Sequence, residues 1–137
     1  MSVSAGTARP GRERGSVTLE LAVLGPALLL LIFTVVQVGL WFYARSLALA
    51  AAQEGAAAAG AYHAGTDAGL TRAQTFLDRS AGDSLQDAAV SSAGSSATMV
   101  RIEVTGRALS VLPGIPGPPV SQVAQAPVER FTVGAGP

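Results

Sequence analysis

A glutamate stands at the start of the longest uncharged stretch of this chain. Glu20 follows Gly15 by five residues, and the next 24 residues, Leu21 to Ala44, carry no charge. A carboxylate within a membrane helix costs about 2.5–3.5 kcal/mol at the helix centre and less toward an end. Glu20 can therefore pair with a positive group in lipid, or lie at the interface where the N-terminal end of the helix dipole favours a negative charge.

Residues that commonly carry catalysis or bind metals are sparse. The chain has no cysteine and one histidine, His63, which excludes disulfides, thiolate metal sites and cysteine nucleophiles. No metal-ligand spacing, phosphate-binding loop or nucleophile motif is present. The aspartates after residue 60 stand in polar surroundings typical of a solvated surface: Asp67, Asp78, Asp83 and Asp87. We expect no catalytic residue, no metal site and no cofactor, and hence a protein that is not an enzyme.

The arginines predict orientation rather than nucleic-acid binding. Nine arginines balance nine acidic residues, and those after residue 15 are scattered singly, so no basic patch forms and no nucleic-acid partner is expected. Three arginines precede the uncharged run, whereas only Arg45 follows it within about 20 residues. This asymmetry predicts a cytoplasmic N-terminus and an outer domain beyond Arg45.

The uncharged run itself predicts a transmembrane helix. A helix over residues 21–44 spans about 36 Å, enough to cross a hydrocarbon layer of about 30 Å. Trp41, Phe42 and Tyr43 mark the outer interface. Pro26 has no N–H, so the carbonyl of Ala22 loses its helical partner and a bend is expected close by.

The remaining residues predict a small α+β domain. The alanine-rich stretch after Arg45 favours an outward extension of the helix, and small residues recur every fourth position along it: Ala48, Ala52, Ala56 and Gly60. A short amphipathic helix to about Arg79 is expected, with Thr66 or Asp67 as its candidate N-cap. Residues 91–98 read as a polar loop, Thr98 to Thr105 alternates like a half-buried strand, and Val120 to Phe131 offers a weaker second strand, interrupted by Pro127, after a proline-rich connector. The two strands would form a small antiparallel pair.

The junction resembles a known class of leader. Glycine, four residues and glutamate, placed after a basic segment and before a membrane helix, are similar to the prepilin-type leader of type IV and tight-adherence pilins. The stretch from Gly15 to Pro26, the apolar run and the segment AAQEGA at residues 51–56 resemble the TadE-like family, the pseudopilins of the tight-adherence (Tad) pilus machinery. Leu21 stands where the major pilins usually carry tyrosine, and the outer part is larger, which favours a minor pseudopilin.

The resemblance implies a processing site and an assembly residue. A membrane-embedded prepilin peptidase would cut between Gly15 and Ser16, and an unsubstituted, extended glycine backbone would let its aspartyl site approach. Glu20 would then pair with the terminal ammonium of a neighbouring subunit. The implied partners are the membrane, the peptidase, other pilins or pseudopilins, and the assembly platform in the cytoplasmic membrane.

The predicted organisation is a cytoplasmic basic leader without regular structure at residues 1–15, a transmembrane and extended helix at 16–62, and an extracytoplasmic α+β domain at 63–137. Two alternatives stay open. One is a secreted protein whose signal peptide is cleaved after residues 48–50, Ala-Leu-Ala, although the uncharged run is longer than a usual signal core of about 7–15 residues. The other is a membrane-anchored protein of unrelated function.

Overall fold

The computed structural model describes residues 2, 3, 6 and 11–130, with the side chains of 11–13 excepted. Helix α1 runs from Gly11 to Gly60 and α2 from Thr66 to Ser80, followed by one 3₁₀ turn. Three strands follow, β1 (Leu85–Ser91), β2 (Met99–Ala108) and β3 (Pro119–Pro127), in one antiparallel sheet of order β1-β2-β3. The α+β class and the amphipathic second helix are confirmed. The predicted cap is wrong, because Gly65 is the N-cap of α2 and no side chain makes a capping hydrogen bond.

The chain divides into two compact units, residues 1–35 and residues 36–137. Apart from residues 2, 3 and 6, the described part of the first unit is the N-terminal part of α1. That helix begins at Gly11, so the expectation of an irregular leader is wrong for residues 11–15; arginine and glutamate, which fill positions 12–14, are good helix formers. Arg9 and the other residues from 7 to 10 lie outside the described residues.

Strand β2 is the centre of the sheet and was predicted from its alternation. Val100, Ile102 and Val104 are 3%, 0% and 0% exposed. The intervening Arg101 and Glu103 point to the other face, where Arg101 Nη1 and Glu103 Oε2 form an ion pair of 3.2 Å. Because successive side chains of a strand point to opposite faces, the alternating pattern places these three branched side chains together on the buried face.

Strand β1 was not predicted, because a bulge hides its alternation. The register against β2 shifts between Gln86 and Ala89, and Asp87 has a φ of 51°. A bulge moves the following side chains out of phase with the preceding ones. Leu85 is therefore buried before the shift and Val90 partly buried after it, without a continuous apolar pattern.

Strand β3 corresponds to the weaker predicted strand, but it is shorter and ends at Pro127. It pairs with β2 from Pro119 opposite Arg107 to Pro127 opposite Met99. Prolines stand at both ends, where the missing N–H does least harm to the ladder. Phe131, the predicted end of the strand, lies outside the described residues.

In the second unit, one face of α1 supplies small side chains to the core. Residues on this face are at most 2% exposed: Ala44, Ala48, Ala51, Ala52, Ala56 and Ala59. The small residues that recur every fourth position, Ala48, Ala52, Ala56 and Gly60, thus pack within their own unit. Because alanine projects little beyond the backbone, the sheet and α2 approach the helix closely.

Strand β3 runs beside α1 over most of its length in this unit. The indole Nε1 of Trp41 donates to the Pro119 carbonyl at 3.2 Å, and Glu129 N donates to the Gly60 carbonyl at 2.9 Å. The helix rises about 28 Å from Trp41 to Gly60, and the strand advances about 26 Å from Pro119 to Pro127. The matching lengths place the β2–β3 loop at the Trp41 end of the unit.

Candidate functional site

The predicted cleavage junction lies within the first turns of α1. Gly15 and Ser16 are exposed, and among the described residues a Cβ atom on Gly15 would meet no atom within 4 Å beyond the adjacent backbone of its own helix. Thr18 Oγ1 donates to the Arg14 carbonyl at 2.9 Å, one turn back across the junction. The backbone here is helical rather than extended, so a protease that needs an extended strand must first unwind this turn. Cleavage after Gly15 stays a prediction.

Glu20 is exposed on the same helix, immediately before the apolar run. It stands four residues after Ser16, so the two positions share one face of the helix. Among the side chains described from residue 14 onward, no hydrogen bond or ion pair reaches its carboxylate. The geometry leaves Glu20 accessible to a group outside the chain, and its role in assembly stays a prediction.

The apolar part of α1 in the first unit is not covered by protein. Exposure is 64% for Leu21, 58% for Leu28 and 64% for Val35. The helix is long and apolar enough to cross a membrane, and no residue in its most apolar stretch is buried. An apolar surface of this length needs lipid or other helices to cover it, and it fits a single-pass membrane protein.

Pro26 lies inside this helix, which continues through it. A Cβ on the adjacent Gly25 would meet nothing within 4 Å, so no described side chain packs there. The bend expected from the lost hydrogen bond at the Ala22 carbonyl stays a prediction.

The Glu-Gly pair after the apolar run attaches α2 to α1. Glu54 Oε2 accepts a hydrogen bond from Arg72 Nε at 2.8 Å, as part of an exposed ion pair. A Cβ on Gly55 would lie 2.8 Å from the Gly69 carbonyl oxygen and 2.9 Å from Ala73 Cβ. Glycine is required here because the two helix backbones touch.

Sequence reasoning missed the role of Gln37, the one amide side chain in the apolar run. Its Nε2 donates to the Leu109 carbonyl at 2.9 Å, and its Oε1 accepts from Val111 N at 3.1 Å. A single amide in an uncharged helix was the available signal, since a polar side chain at that depth needs a partner. Gln37 holds the β2–β3 loop against α1.

The chain is thus built as one long apolar helix carrying a small α+β unit, with a glycine and a glutamate at the mouth of the apolar run. Residues 15–57 match the model of the family described as TadE-like protein. This segment starts at the junction glycine and ends just after the Glu-Gly pair. No curated protein and no solved structure gives a significant match. The resemblance stated from the sequence is confirmed over these residues, and the family indicates a protein associated with the Tad pilus.

Proposed function

We propose that this protein is a minor pseudopilin of a tight-adherence pilus, with a structural, non-enzymatic role in pilus assembly. The observation that carries the proposal is the family match over residues 15–57. This segment contains both the Gly15–Ser16 junction and the apolar part of α1, which no other part of the described chain covers. In the proposed mature protein, α1 spans the membrane up to about Ala44, and the rest of the second unit, here called the outer unit, lies outside the cytoplasmic membrane.

The proposed maturation is a cut between Gly15 and Ser16 by a prepilin peptidase. Gly15 presents no side chain, and the surrounding space is open. The cut would remove the arginine-rich leader and create an ammonium group on Ser16. That ammonium and the Glu20 carboxylate of a neighbouring subunit are opposite charges, and pairing lowers the cost of holding both in lipid.

The core argues against a cleaved signal peptide. A cut after Ala50 would remove Ala44, Leu47 and Ala48, which are 0%, 9% and 0% exposed. It would also remove Gln37 and Trp41, which bind the β2–β3 loop and strand β3. The outer unit uses the end of the apolar run as part of its own structure.

The experiment that tests the assembly role is Glu20→Gln in a strain with an active pilus system. Removing the charge leaves the ammonium of the neighbour without its partner, which costs about 3–5 kcal/mol for a buried pair. Crosslinked pseudopilin complexes and pili should then fall by roughly a hundredfold or more. Leader cleavage and membrane insertion should stay normal, because neither uses the carboxylate.

Glu54→Gln is the matched control, since it makes the same substitution on the same helix. Its ion pair with Arg72 is exposed, and such pairs contribute about 0–1 kcal/mol. Wild-type pili in both variants would reduce Glu20 to a residue that interacts with the helix dipole, worth about 0.3–1 kcal/mol, and would contradict the assembly role.

A further inference from the structure

The β2–β3 loop, residues 109–118, has an unusual composition for a surface loop. Ser110 is its only polar side chain, and no charged residue occurs between Arg107 and Glu129. Ile115 at the tip is 56% exposed. By contrast, the β1–β2 loop at the other end of the sheet, residues 92–98, consists of small and polar residues.

The loop pairs part of its backbone polar groups within the chain. Gln37 binds the Leu109 carbonyl and Val111 N–H, Ser110 Oγ accepts from Leu112 N at 3.2 Å, and Ala108 N donates to the Pro118 carbonyl at 3.0 Å. Ile115 N donates to the Leu112 carbonyl at 3.3 Å, across a turn with Pro113 second and Gly114 third at φ 74°, the pattern of a type II turn. Prolines at 113, 116 and 118 have no N–H to satisfy. The prolines thus reduce the number of N–H groups that need a partner, and the unpaired groups suit the hydrated headgroup boundary rather than the hydrocarbon core.

The loop contacts α1 at turns that precede Arg45, the residue that marks the outer end of the apolar run. Arg45, whose guanidinium lies 5.6 Å from the Trp41 ring centroid, is the first charged residue after the apolar run. Gln37 lies about 12 Å before Arg45 along the helix. At the same level of the helix, the neighbouring residues Val38 and Phe42 are 49% and 55% exposed. The loop therefore lies beside helix turns whose outer face is itself apolar.

The length of the apolar helix also indicates that the turns in contact with the loop belong to the membrane span. If the membrane ended where the second unit begins, residues 21–36 would span only about 24 Å, less than the hydrocarbon thickness of about 30 Å. The turns that contain Gln37 and Trp41 complete the span. Since the loop is bound to those turns, it comes to the membrane with them.

We propose that the β2–β3 loop is a second membrane contact, which rests in the outer headgroup and acyl boundary of the cytoplasmic membrane with Ile115 toward the lipid. This rests on the proposed membrane anchoring by α1. Arg107, whose Nη1 lies 3.5 Å from the Gly117 carbonyl oxygen, marks the water side of the loop, where a cation is favoured beside anionic lipid. The contact fixes the tilt and depth of the outer unit on the membrane.

The absence of cysteine allows a direct test by single-cysteine labelling. The full chain, carrying Ile115→Cys, Phe33→Cys or Ala93→Cys, is labelled with an environment-sensitive fluorophore and placed, one copy per disc, in phosphatidylethanolamine and phosphatidylglycerol nanodiscs. Phe33 lies in the apolar helix, and Ala93 is exposed in the β1–β2 loop. Quenching by doxyl-labelled lipid is compared with quenching by aqueous iodide.

The Ile115 label should be quenched several-fold more by doxyl lipid than by iodide, as at Phe33, and the Ala93 label should behave in the opposite way. A lipid-quenched Phe33 label with an iodide-quenched Ile115 label would overturn the loop contact and leave the anchor intact. An Ile115 label protected from both quenchers would mean that protein covers the loop, which also overturns the proposal. An iodide-quenched Phe33 label would instead refute the membrane anchor itself.

Discussion

The carbonyl oxygen of Gly55 lies 2.6 Å from the position that a Cβ atom on Gly69 would occupy. The reciprocal distance, from a Cβ on Gly55 to the Gly69 carbonyl oxygen, is 2.8 Å. Neither α1 nor α2 can carry a side chain at this crossing. Methyl carbons of Ile102, at the centre of the sheet, lie 3.3 Å from both Cβ positions, so α1, α2 and β2 meet at this crossing.

Alanine at either glycine should destabilise the second unit. The added methyl would overlap backbone atoms of the facing helix, and overpacking of this kind typically costs about 1–3 kcal/mol, more than the gain of up to about 1 kcal/mol in helix propensity. The measurement is urea unfolding of the full chain in detergent micelles, followed by near-ultraviolet circular dichroism. Gly39→Ala is the control, since a Cβ there meets no atom within 4 Å; an equal midpoint for all three variants would refute the crossing.

Gln37→Leu should loosen the β2–β3 loop while leaving the apolar character of α1 intact. The Leu109 carbonyl and the Val111 N–H both lose their partner, at a cost of about 1–3 kcal/mol for a buried unsatisfied group. Hydrogen exchange should show faster exchange at Val111. Gln53→Leu removes an exposed amide from the same helix and should change nothing; unchanged protection of Val111 in Gln37→Leu would contradict the assigned contact.

The features that followed simple periodicity were predictable, and those set by tertiary contacts were not. The alternation in β2 requires only that one face of the strand be buried. The apolar run requires only that one long segment be removed from water. The bulge at Asp87 concealed β1, since the pattern changes phase within the strand. The Glu54 and Gly55 pair was recognised by resemblance alone, and its reason is visible only once Arg72 and Gly69 lie opposite. Gln37 was passed over because its partners are more than 70 residues away in the chain.

Membrane orientation is predicted by the arginine asymmetry across the apolar run. A reporter fused after Pro137 should be active if it works only outside the cytoplasm, and inactive if it works only inside. Replacing Arg12 and Arg14 by glutamine should weaken this bias by removing two of the three leader arginines. A C-terminal reporter that is active only in the cytoplasm would contradict the predicted topology.

The most direct test of the pseudopilin assignment is the N-terminus of the protein from cells that hold an active prepilin peptidase, read by intact mass and terminal sequencing. The account predicts a chain that begins at Ser16, and an uncut chain for Gly15→Leu, whose side chain would fill the open space beside the junction. Gly6→Leu, in the leader but away from the junction, should still be cut. A chain that begins at Ala51, or an intact leader beside an active peptidase, would contradict the assignment.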